Sequence, residues 1–446
     1  MKDKQATILG AGLVGTLLSV YLAKRGYKVD IYERRPDMRK EKISAGRSIN
    51  LALSDRGWRG LAGAGLEEEI RKVAIPMNAR MVHNTDGTLS SQPYGMKGEA
   101  IYSVSRGGLN KTLMDLAEQQ TGVKIYFNHR CEEVNLDSGE IIFEDQTTKQ
   151  LITKKSEIIF GADGAFSALR RSMQKLDRFD YSQTYIEHSY KELHIPAGEN
   201  GNFLMEKNAL HIWPRKNFML IALPNADGSF TCTLFFHTEG EESFATLKTE
   251  KDVEVFFKKY FEDAIPMMPD YKKVFFANPT SSLPYIKCYP WTYKNKAALI
   301  GDAAHAVVPF FGQGMNCGFE DCTVLNELLN ENDDDWKKVF PLFEQLRKPN
   351  ADAICELALN NFIEMRDLVA DKKFLRKKQI EKMIANAFPE KFIPAYSMVS
   401  FSHIPYSEAQ RIGKHRDELL EKLFLVENLE EKFSTDEIQN LIKEYL

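Results

Sequence analysis

Apolar and polar positions at the start of the chain predict a strand, a helix and a second strand. The apolar run Ala6–Gly10 is typical of a short buried strand. Apolar residues then recur at helical spacing over Gly12–Arg25, and Gly26 is a plausible helix stop. Lys28–Tyr32 predicts the next strand, which ends at Glu33. Together these segments predict a complete βαβ unit.

Similar patterns continue as far as residue 160 and return near residue 300. A helix is predicted over Arg106–Gln120, followed by strands over Val123–Phe127 and Ile141–Glu144. Ile158–Phe160 and Ala297–Ile300 are short apolar runs that predict two further buried strands.

The section from about Tyr181 to Leu283 has a different pattern. Phe218–Leu223 and Phe230–Phe236 are rich in β-branched and aromatic residues, and the turn Asn225–Gly228 separates them. This arrangement predicts an antiparallel sheet in a second domain. From Glu320 to the end of the chain the pattern is almost wholly helical.

Composition narrows the class of protein. The chain has 446 residues, of which 43% are hydrophobic and 27% charged, as is usual for a globular protein. At about 150 residues per domain, this length suggests two to three domains. The net charge of -4 argues against a basic nucleic-acid-binding protein, and we expect no nucleic-acid partner.

The cysteines predict neither a metal site nor a disulfide framework. None forms a CxxC pair, and no Cys/His cluster has zinc spacing, so reduced thiols of a cytosolic protein are the favoured interpretation. The cysteines are Cys131, Cys232, Cys288, Cys317, Cys322 and Cys355.

We also expect no membrane anchor and a cytoplasmic location. The first residues lack the long apolar region of a secretory signal, and no run of about 18 apolar residues exists. The charged helical pattern Glu430–Leu446 carries both signs of charge, which favours packing on the protein body over binding to a membrane surface.

The first chemical motif is GAGLVG, residues Gly10–Gly15, at the end of the first predicted strand. Gly10 allows the tight turn, Gly12 lets the backbone approach a pyrophosphate, and Gly15 lets the helix pack closely on the strand. Glu33 follows Gly15 by 18 residues (33 − 15), where an acid can bind ribose hydroxyls. The motif therefore predicts a dinucleotide site for FAD or NAD, since an acid here would repel the extra phosphate of NADP.

Two further glycine motifs follow predicted strands. Gly161–Gly164 (GADG) is equally compatible with a routine turn when taken alone. Gly301-Asp302 ends a strand, and the glycine-rich loop Gly312–Asn316 precedes a predicted helix over Cys317–Leu329. Asp302 could accept hydrogen bonds from ribityl hydroxyls, and N–H groups at the helix start could face the pyrimidine edge of a flavin. A purely structural strand–turn–helix is the alternative.

In this order, the three motifs resemble those of the class A flavoprotein monooxygenases, and the resemblance runs through nearly the whole chain. It implies one nucleotide-binding fold that holds FAD, with NADPH as a transient co-substrate, and no second GxGxxG is found. Glu33 would bind the adenosine ribose, Arg106 the flavin or its phosphates, and Asp163 and Asp302 the FAD scaffold. The cofactor-binding residues that the resemblance implies are Gly10, Gly12, Gly15, Glu33, Arg34, Ala52, Arg106, Cys131, Asp163, Asp302, Gly314, Met315 and Asn316.

We therefore predict an α/β fold with a Rossmann-like FAD-binding domain, an inserted antiparallel β-sheet substrate domain and a helical C-terminal region. The FAD-binding domain is predicted over 1–75, 101–180 and 285–370, the substrate domain over 76–100 and 181–284, and the helical region over 371–446.

Three more stretches, residues 46–54, 305–316 and 361–367, resemble the kynurenine 3-monooxygenase family. That family hydroxylates L-kynurenine to 3-hydroxykynurenine with NADPH and O2, a step of tryptophan degradation towards quinolinate and NAD. The resemblance implies that Arg80 and Tyr94 bind the α-carboxylate of the substrate, which suits the forked guanidinium of arginine. Asn361 and Tyr396 would complete the amino-acid pocket. Its apolar wall beside the flavin would be Pro309, Phe310 and Phe311.

The resemblance implies that a hydroperoxide at flavin C4a delivers the oxygen, so we predict no catalytic side chain and no metal. His305 lies inside the late glycine motif and is predicted to be structural. Eukaryotic members of the family carry a C-terminal membrane anchor, which has no counterpart in this sequence.

Two alternatives stay open at this point. One is another class A hydroxylase that acts on a benzoate or phenol and needs no amino-acid clamp. The other is a non-enzymatic binding protein on an FAD-type fold, like the GDP dissociation inhibitors of small GTPases, against which the late Gly301-Asp302 motif argues.

Overall fold

The computed structural model describes residues 4–40, 50–94, 98–365 and 371–446. Residues 46–49 and 366–367, which contributed to the family resemblance, lie outside the described residues. The strands in chain order are β1 (Gln5–Leu9), β2 (Lys28–Tyr32), β3 (Asn50–Leu53), β4 (Ile75–Met77), β5 (Ala79–His83), β6 (Leu89–Pro93), β7 (Ile101–Ser105), β8 (Val123–Tyr126), β9 (His129–Asn135), β10 (Glu140–Asp145), β11 (Leu151–Lys155), β12 (Ile159–Gly161), β13 (Asp180–Ile195), β14 (Ala209–Pro214), β15 (Met219–Pro224), β16 (Phe230–His237), β17 (Ser281–Tyr289), β18 (Thr292–Tyr293) and β19 (Ala297–Leu299).

Helices connect the strands and form the whole C-terminal part. In chain order they are α1 (Leu13–Lys24), α2 (Asp55–Ala64), α3 (Glu67–Arg71), α4 (Arg106–Glu118), α5 (Ala168–Met173), α6 (Glu250–Tyr260), α7 (Tyr271–Ala277), α8 (Asp302–His305), α9 (Gly314–Glu331), α10 (Trp336–Ile363), α11 (Lys372–Ala387), α12 (Ala395–Ser400), α13 (Tyr406–Phe424), α14 (Leu429–Lys432) and α15 (Asp436–Glu444).

The N-terminal βαβ unit belongs to a six-stranded sheet with the order β18-β19-β12-β1-β2-β8. β1 lies between β2 and β12 and is parallel to both, so the turn after Leu9 opens at the carboxyl edge of the sheet's centre. All of β1 except Gln5 is buried, as expected when helices cover both faces of a parallel sheet. The predicted βαβ unit and the α/β fold class are confirmed.

The second large sheet has seven strands in the order β17-β13-β16-β15-β14-β5-β6. Side chains alternate between two apolar clusters along its strands, because successive residues of a strand point to opposite faces. Leu234 and Phe236 of β16 pack towards α6 and α7, whereas Phe235 packs towards Phe310 and Phe362. The second face is the one that meets the rest of the protein.

This sheet differs from the sequence prediction in two respects. It is not wholly antiparallel, since β5 pairs with β14 in parallel. The strand β17 also stays in the sheet as far as Tyr289, past the domain boundary predicted at residue 284, because it pairs along its length with the long strand β13. Residues Ala79–His83 and Leu89–Pro93 enter the sheet at its edge.

The helices after α9 form two groups. Part of α11, α13, α14 and α15 surround their own apolar cluster, which includes Ile380, Leu419 and Ile442. Helix α12 and the start of α13 instead pack on α9 and α10, through Met398, Val399 and Tyr406. Among the described residues, no helix is long and apolar enough to cross a membrane.

Candidate active site

The turn GAGLVG leaves open space where a phosphate could approach. Gly10 has φ +98°, and a Cβ there would lie 2.6 Å from the carbonyl oxygen of Ala162, so only glycine fits. A Cβ on Gly12, by contrast, would meet nothing within 4 Å. Helix α1 starts at Leu13 without a side-chain cap, so its first N–H groups are available to an anion.

Glu33 lies beside this turn at the end of β2. It is 4% exposed, and its carboxylate accepts hydrogen bonds from the N–H of Ala11 at 3.0 Å and from Nε of Arg35 at 2.7 Å. Burial alone would raise the pKa of Glu33, but hydrogen bonds from Arg35 and Ala11 hold that pKa below its usual value. The acid is therefore ionised. Arg34, its predicted neighbour in the site, is exposed.

The GADG motif meets the same turn. Ala162 and Asp163 both approach Gly10, since an added Cβ on Gly10 would collide with either. One carboxylate oxygen of Asp163 accepts the N–H of Ala168 at 2.7 Å, whereas the other is buried without a hydrogen-bond partner. Burial raises the pKa of Asp163. The charge of Asp163 in turn contributes, after burial itself, to raising the pKa of the predicted cofactor residue Cys131.

The third motif approaches the N-terminus of α1 from the other side. Gly301 has φ +61°, and a Cβ there would lie 3.0 Å from the side chain of Val14. Asp302 follows at the start of α8 with its side chain exposed. The three glycine motifs, far apart in the sequence, thus surround one helix end.

Helix α9 begins at Gly314, three residues before the predicted start at Cys317 (317 − 314), so Gly314, Met315 and Asn316 form its first turn. The Asn316 amide donates to the carbonyl oxygens of Ala52 at 2.8 Å and Gly312 at 2.7 Å, and accepts the N–H of Ser54 at 2.9 Å. The Asn316 side chain is therefore occupied in joining β3 to the loop. The backbone of this turn and the side chain of Met315 are left to contact a cofactor.

Helix α4 contributes a residue that the sequence did not single out. Arg106, the predicted flavin or phosphate contact, is exposed at the first position of α4. One turn further along, the buried Asn110 donates to the carbonyl oxygen of Ala11 at 3.3 Å and so touches the GAGLVG turn. A polar residue on an apolar helix face was the only signal that could have revealed it.

Arg80, Tyr94 and Tyr396 come together at the edge of the seven-stranded sheet. The Arg80 guanidinium carbon lies 5.3 Å from the ring centre of Tyr94 and 5.0 Å from that of Tyr396. The two tyrosine rings are stacked at 5.2 Å, and Tyr396 stacks on Phe311 at the same distance. We call Arg80, Tyr94, Tyr396 and Phe311 the clamp.

The clamp holds a buried positive charge with unsatisfied hydrogen-bonding groups. Arg80 is 9% exposed, and among the described residues neither its Nε nor the hydroxyl of Tyr94 has a partner at hydrogen-bonding distance. A carboxylate oxygen, Oε1 of Glu364, lies 3.6 Å from Arg80 Nη1. Burial would lower the pKa of Arg80, but the oxygens of Tyr94, Tyr396 and Glu364 raise it, so the guanidinium stays charged. Such a site suits a small anion with a carboxylate's geometry.

Asn361 reaches the site indirectly. Its amide donates to the carbonyl oxygen of Phe310 at 2.6 Å, which fixes the 3₁₀ turn Pro309–Phe311 in front of α9. Phe310 stacks on Phe362 at 4.0 Å and belongs to the core beneath the sheet, whereas Phe311 faces Tyr396. Of the three predicted wall residues, the structure brings Phe311 into the clamp and places Phe310 behind it.

Glu364 was not assigned a role from the sequence, although it lies one helical turn after Asn361. Its chain neighbours gave no periodic signal, and its position near Arg80 depends on how α10 ends over the sheet.

His305, Cys317 and Asp321 are buried together, with ligand-type atoms within 4.8 Å of one another. Their contacts suit an ion-pair network better than a metal. Nε2 of His305 lies 2.6 Å from Asp321, and Nε of Arg347 lies 2.7 Å from the same carboxylate. Arg347 also reaches the sulfur of Cys317 at 3.3 Å, where a cation would be repelled. His305 lies in this network and not in the clamp.

Comparison with known families identifies a sequence model described as an FAD binding domain, which matches residues 3–337. Proteins named kynurenine 3-monooxygenase are similar over almost the whole chain. The protein from Flavobacterium johnsoniae is 50% identical over 439 residues, covering 98% of each chain. That from Dictyostelium discoideum is 45% identical and covers 94% of this chain and 93% of its own.

Solved structures show the same fold at low identity. A 2-methyl-3-hydroxypyridine-5-carboxylic acid oxygenase superimposes with a TM-score of 0.67 at 20% identity, covering 84% of this chain and 96% of its own. A probable FAD-dependent monooxygenase from Pseudomonas aeruginosa gives 0.64 at 17% identity, with coverages of 82% and 97%.

Proposed function

We propose that this chain, which belongs to the kynurenine 3-monooxygenase family of FAD-dependent flavoprotein monooxygenases, hydroxylates L-kynurenine to 3-hydroxykynurenine with NADPH and O2. The observation that carries the proposal is the buried Arg80, whose charge and unpaired Nε face two tyrosines beside the loop that precedes α9. An amino-acid substrate supplies a carboxylate that can accept from Arg80 Nε and from the Tyr94 hydroxyl, neither of which bonds to Glu364.

In the proposed complex the substrate α-carboxylate binds the Arg80 guanidinium and accepts a hydrogen bond from the Tyr94 hydroxyl. Both donors are buried, so their hydrogen bonds to a carboxylate are stronger than they would be in water. Phe311, held by stacking on Tyr396 at 5.2 Å, supplies apolar surface for the aromatic ring. Asn361 acts through Phe310 by holding this surface in place.

The glycine motifs fit FAD. The open space at Gly12 and the uncapped start of α1 suit the pyrophosphate of FAD. The ionised Glu33 suits the adenosine ribose. The Asp163 oxygen without a partner among the described residues can accept a hydrogen bond from a hydroxyl of the cofactor. The backbone at the start of α9 would face the flavin ring. When bound, FAD supplies the activation of O2 that ring hydroxylation requires.

The protein's own contribution is binding, orientation and exclusion of water. The clamp holds the substrate carboxylate, which leaves the aniline ring to extend along Phe311 towards the start of α9. Because the surrounding side chains are aromatic and buried, water is kept from the reacting ring. We assign no general base, since the buried His305 is engaged with Asp321.

The test is NADPH oxidation by purified, flavin-loaded protein in the presence of L-kynurenine, with the product identified by mass. We expect oxidation that depends on kynurenine and a product one oxygen heavier. NADPH oxidation that yields only hydrogen peroxide would contradict the proposal. Hydroxylation of benzoates or phenols without turnover of kynurenine would support another class A hydroxylase.

We also propose a cytoplasmic location. All six cysteines are unpaired and buried, which suits a reducing compartment. Cell fractionation should recover the activity with the cytosolic proteins, and its recovery with membranes would contradict this.

A further inference from the structure

Arg56, on α2, is a buried arginine near the site whose nitrogens all have partners. It is 1% exposed, although arginine is seldom buried unless it is paired. Its Nε donates to the carbonyl oxygen of Val399 at 3.0 Å, and Nη2 donates to those of Met398, at 3.4 Å, and Ile404. Met398 and Val399 lie in the last turn of α12, where carbonyl oxygens lack helical partners. Arg56 therefore caps α12, the helix that carries Tyr396 of the clamp.

The same guanidinium is tied to α9. Its Nη1 pairs with one oxygen of Glu320, whose other oxygen accepts Nη1 of Arg347 at 2.6 Å. Arg347 also binds Asp321, which accepts the N–H of Gly301 at 3.0 Å. Charge contacts therefore run from the cap of α12 to the Gly301-Asp302 motif and to the helix that starts at Gly314. We call this set of side chains the Arg56 network.

A third contact links Arg56 to the glycine-rich loop. Its guanidinium lies 3.9 Å from the ring centre of Tyr406, which is fully buried at the start of α13. The Tyr406 hydroxyl donates to the side-chain oxygen of Gln313 at 2.9 Å. Gln313 immediately precedes the first turn of α9.

We propose that Arg56 is a positioning residue that fixes Tyr396 of the clamp relative to the glycine-rich loop and the first turn of α9. The planar guanidinium of Arg56 donates hydrogen bonds to α12 from Nε and Nη2 and pairs with Glu320 of α9 through Nη1. The single ammonium group of a lysine cannot reproduce this geometry. Buried ion pairs add little net stability compared with well-packed apolar residues, so control of position explains the arrangement better than stability does. The inference rests on the proposed role of Tyr396 in the clamp.

The first test compares Arg56→Lys with a matched control, Arg215→Lys. Arg215 is 8% exposed and donates to the carbonyl oxygens of Tyr260 at 2.6 Å and His83 at 2.9 Å, but it stacks on Phe261, on the sheet face away from the clamp. For each variant, the kynurenine dissociation constant is to be measured on the oxidised, flavin-loaded protein from the change in flavin absorbance. We also measure amide hydrogen exchange of residues 395–400.

For Arg56→Lys we expect the dissociation constant to rise about tenfold, since hydrogen bonds from a charged donor are lost, and exchange in α12 to accelerate. Arg215→Lys should change neither quantity. Equal effects of the two substitutions on α12 exchange and on kynurenine affinity would overturn the inference.

A milder pair of variants keeps the test decisive if Arg56→Lys fails to fold. Tyr406→Phe removes only the hydrogen bond to Gln313, and Tyr21→Phe removes a comparable buried one, from Tyr21 to the carbonyl oxygen of Gly60 at 2.7 Å. We expect about a threefold rise in the dissociation constant for Tyr406→Phe alone. Wild-type affinity in Tyr406→Phe would then overturn the inference.

Failure of the clamp and failure of this coupling give different results. If Arg80→Ala binds kynurenine with wild-type affinity, the clamp assignment is wrong whatever Arg56→Lys does. In that case the inference on Arg56 depends on amide hydrogen exchange in α12 alone. Faster exchange in Arg56→Lys than in Arg215→Lys would support the role of Arg56 in fixing α12, and equal exchange in the two variants would overturn that role.

Discussion

The clamp and the Arg56 network are both built on a buried arginine, and they differ in how completely its donors are satisfied. Each nitrogen of Arg56 has a partner, either a backbone carbonyl or Glu320. Within the described part of the chain, Arg80 has an Nε without a partner and an ion pair with one carboxylate, that of Glu364, at 3.6 Å. An unsatisfied buried donor costs about 1–3 kcal/mol, and a ligand that supplies the missing acceptor removes that cost. The difference supports the proposals that Arg80 binds the substrate and that Arg56 belongs to the framework.

Both arginines contact aromatic rings, but to different effect. Arg56 lies 3.9 Å from the ring centre of Tyr406, whose hydroxyl is bonded to Gln313. Arg80 lies beside two stacked rings, 5.0 and 5.3 Å from their centres, and the hydroxyl of one of them, Tyr94, has no partner among the described residues. Buried polar groups whose hydrogen bonds are all formed fix one arrangement of side chains. Buried donors without partners instead indicate which acceptor a ligand would have to supply.

Removal of Arg80 should have the largest effect. We expect Arg80→Ala to raise KM for kynurenine about 100-fold, because a charge-assisted interaction of about 3 kcal/mol with the carboxylate is lost. FAD should stay bound, since the described contacts of Arg80 are with Tyr94, Tyr396 and Glu364, outside the glycine motifs. Steady-state kinetics and flavin absorbance of the purified variant measure both. Arg80→Lys, which keeps the charge without the fork, should recover part of the affinity, and loss of flavin from Arg80→Ala would show that Arg80 is structural.

Asn361 should have a smaller effect, because it acts through the loop. Asn361→Leu removes the hydrogen bond to the carbonyl oxygen of Phe310, and we expect KM for kynurenine to rise about three- to tenfold, with more peroxide formed per NADPH oxidised. Asn278→Leu is a matched control, since its buried amide donates to the carbonyl oxygen of Glu192 at 2.9 Å, outside the clamp. A loss as large as that of Arg80→Ala would indicate direct contact with the substrate instead.

His305 should have the smallest effect on substrate binding and a visible effect on stability. Burial opposes protonation of its imidazole, but the Asp321 carboxylate holds its pKa well above 6.5. A raised pKa in the folded state stabilises the protein fully below about pH 6.5, and this contribution is lost as the pH rises through the folded-state pKa. The free energy of unfolding should therefore be higher in wild type than in His305→Gln, and the difference should be largest at low pH.

Denaturant unfolding of both proteins across a pH series measures this difference, with kynurenine affinity as the control. The affinity should be the same in the two proteins, because the described contacts of His305 are with Asp321, Cys317 and Trp291 and not with Arg56 or the clamp. A stability difference that grows with pH would contradict the assignment.

Much of the cofactor side could be predicted because each motif is local. Gly10, Gly12 and Glu33 follow from the end of one strand, one turn and the end of the next strand, and the structure places them together. The predicted start of α9 was wrong by three residues, since Gly314 has a low helix propensity yet opens the helix. That error matters, because it moves Met315 and Asn316 from a loop into a helical turn.

The substrate side depended on family resemblance and was less complete. The resemblance pointed to Arg80, Tyr94 and Tyr396, which the structure brings together, and their role in binding stays a prediction. It did not show that Asn361 is bonded to Phe310, nor that Phe310 and Phe311 point in different directions. Glu364 was missed altogether.

The sequence by itself determined the βαβ unit, the three glycine motifs and their order, because turns, periodicity and glycine positions are properties of neighbouring residues. Only the tertiary structure decided which buried polar groups have partners, because those partners come from distant parts of the chain. Arg56 and the carbonyl of Ile404 are 348 positions apart, and no local pattern relates them. Arg80 and Arg56 are alike as letters in the sequence. We propose that one binds and the other positions, because packing left Nε of Arg80 without a partner among the described residues and gave every nitrogen of Arg56 a partner.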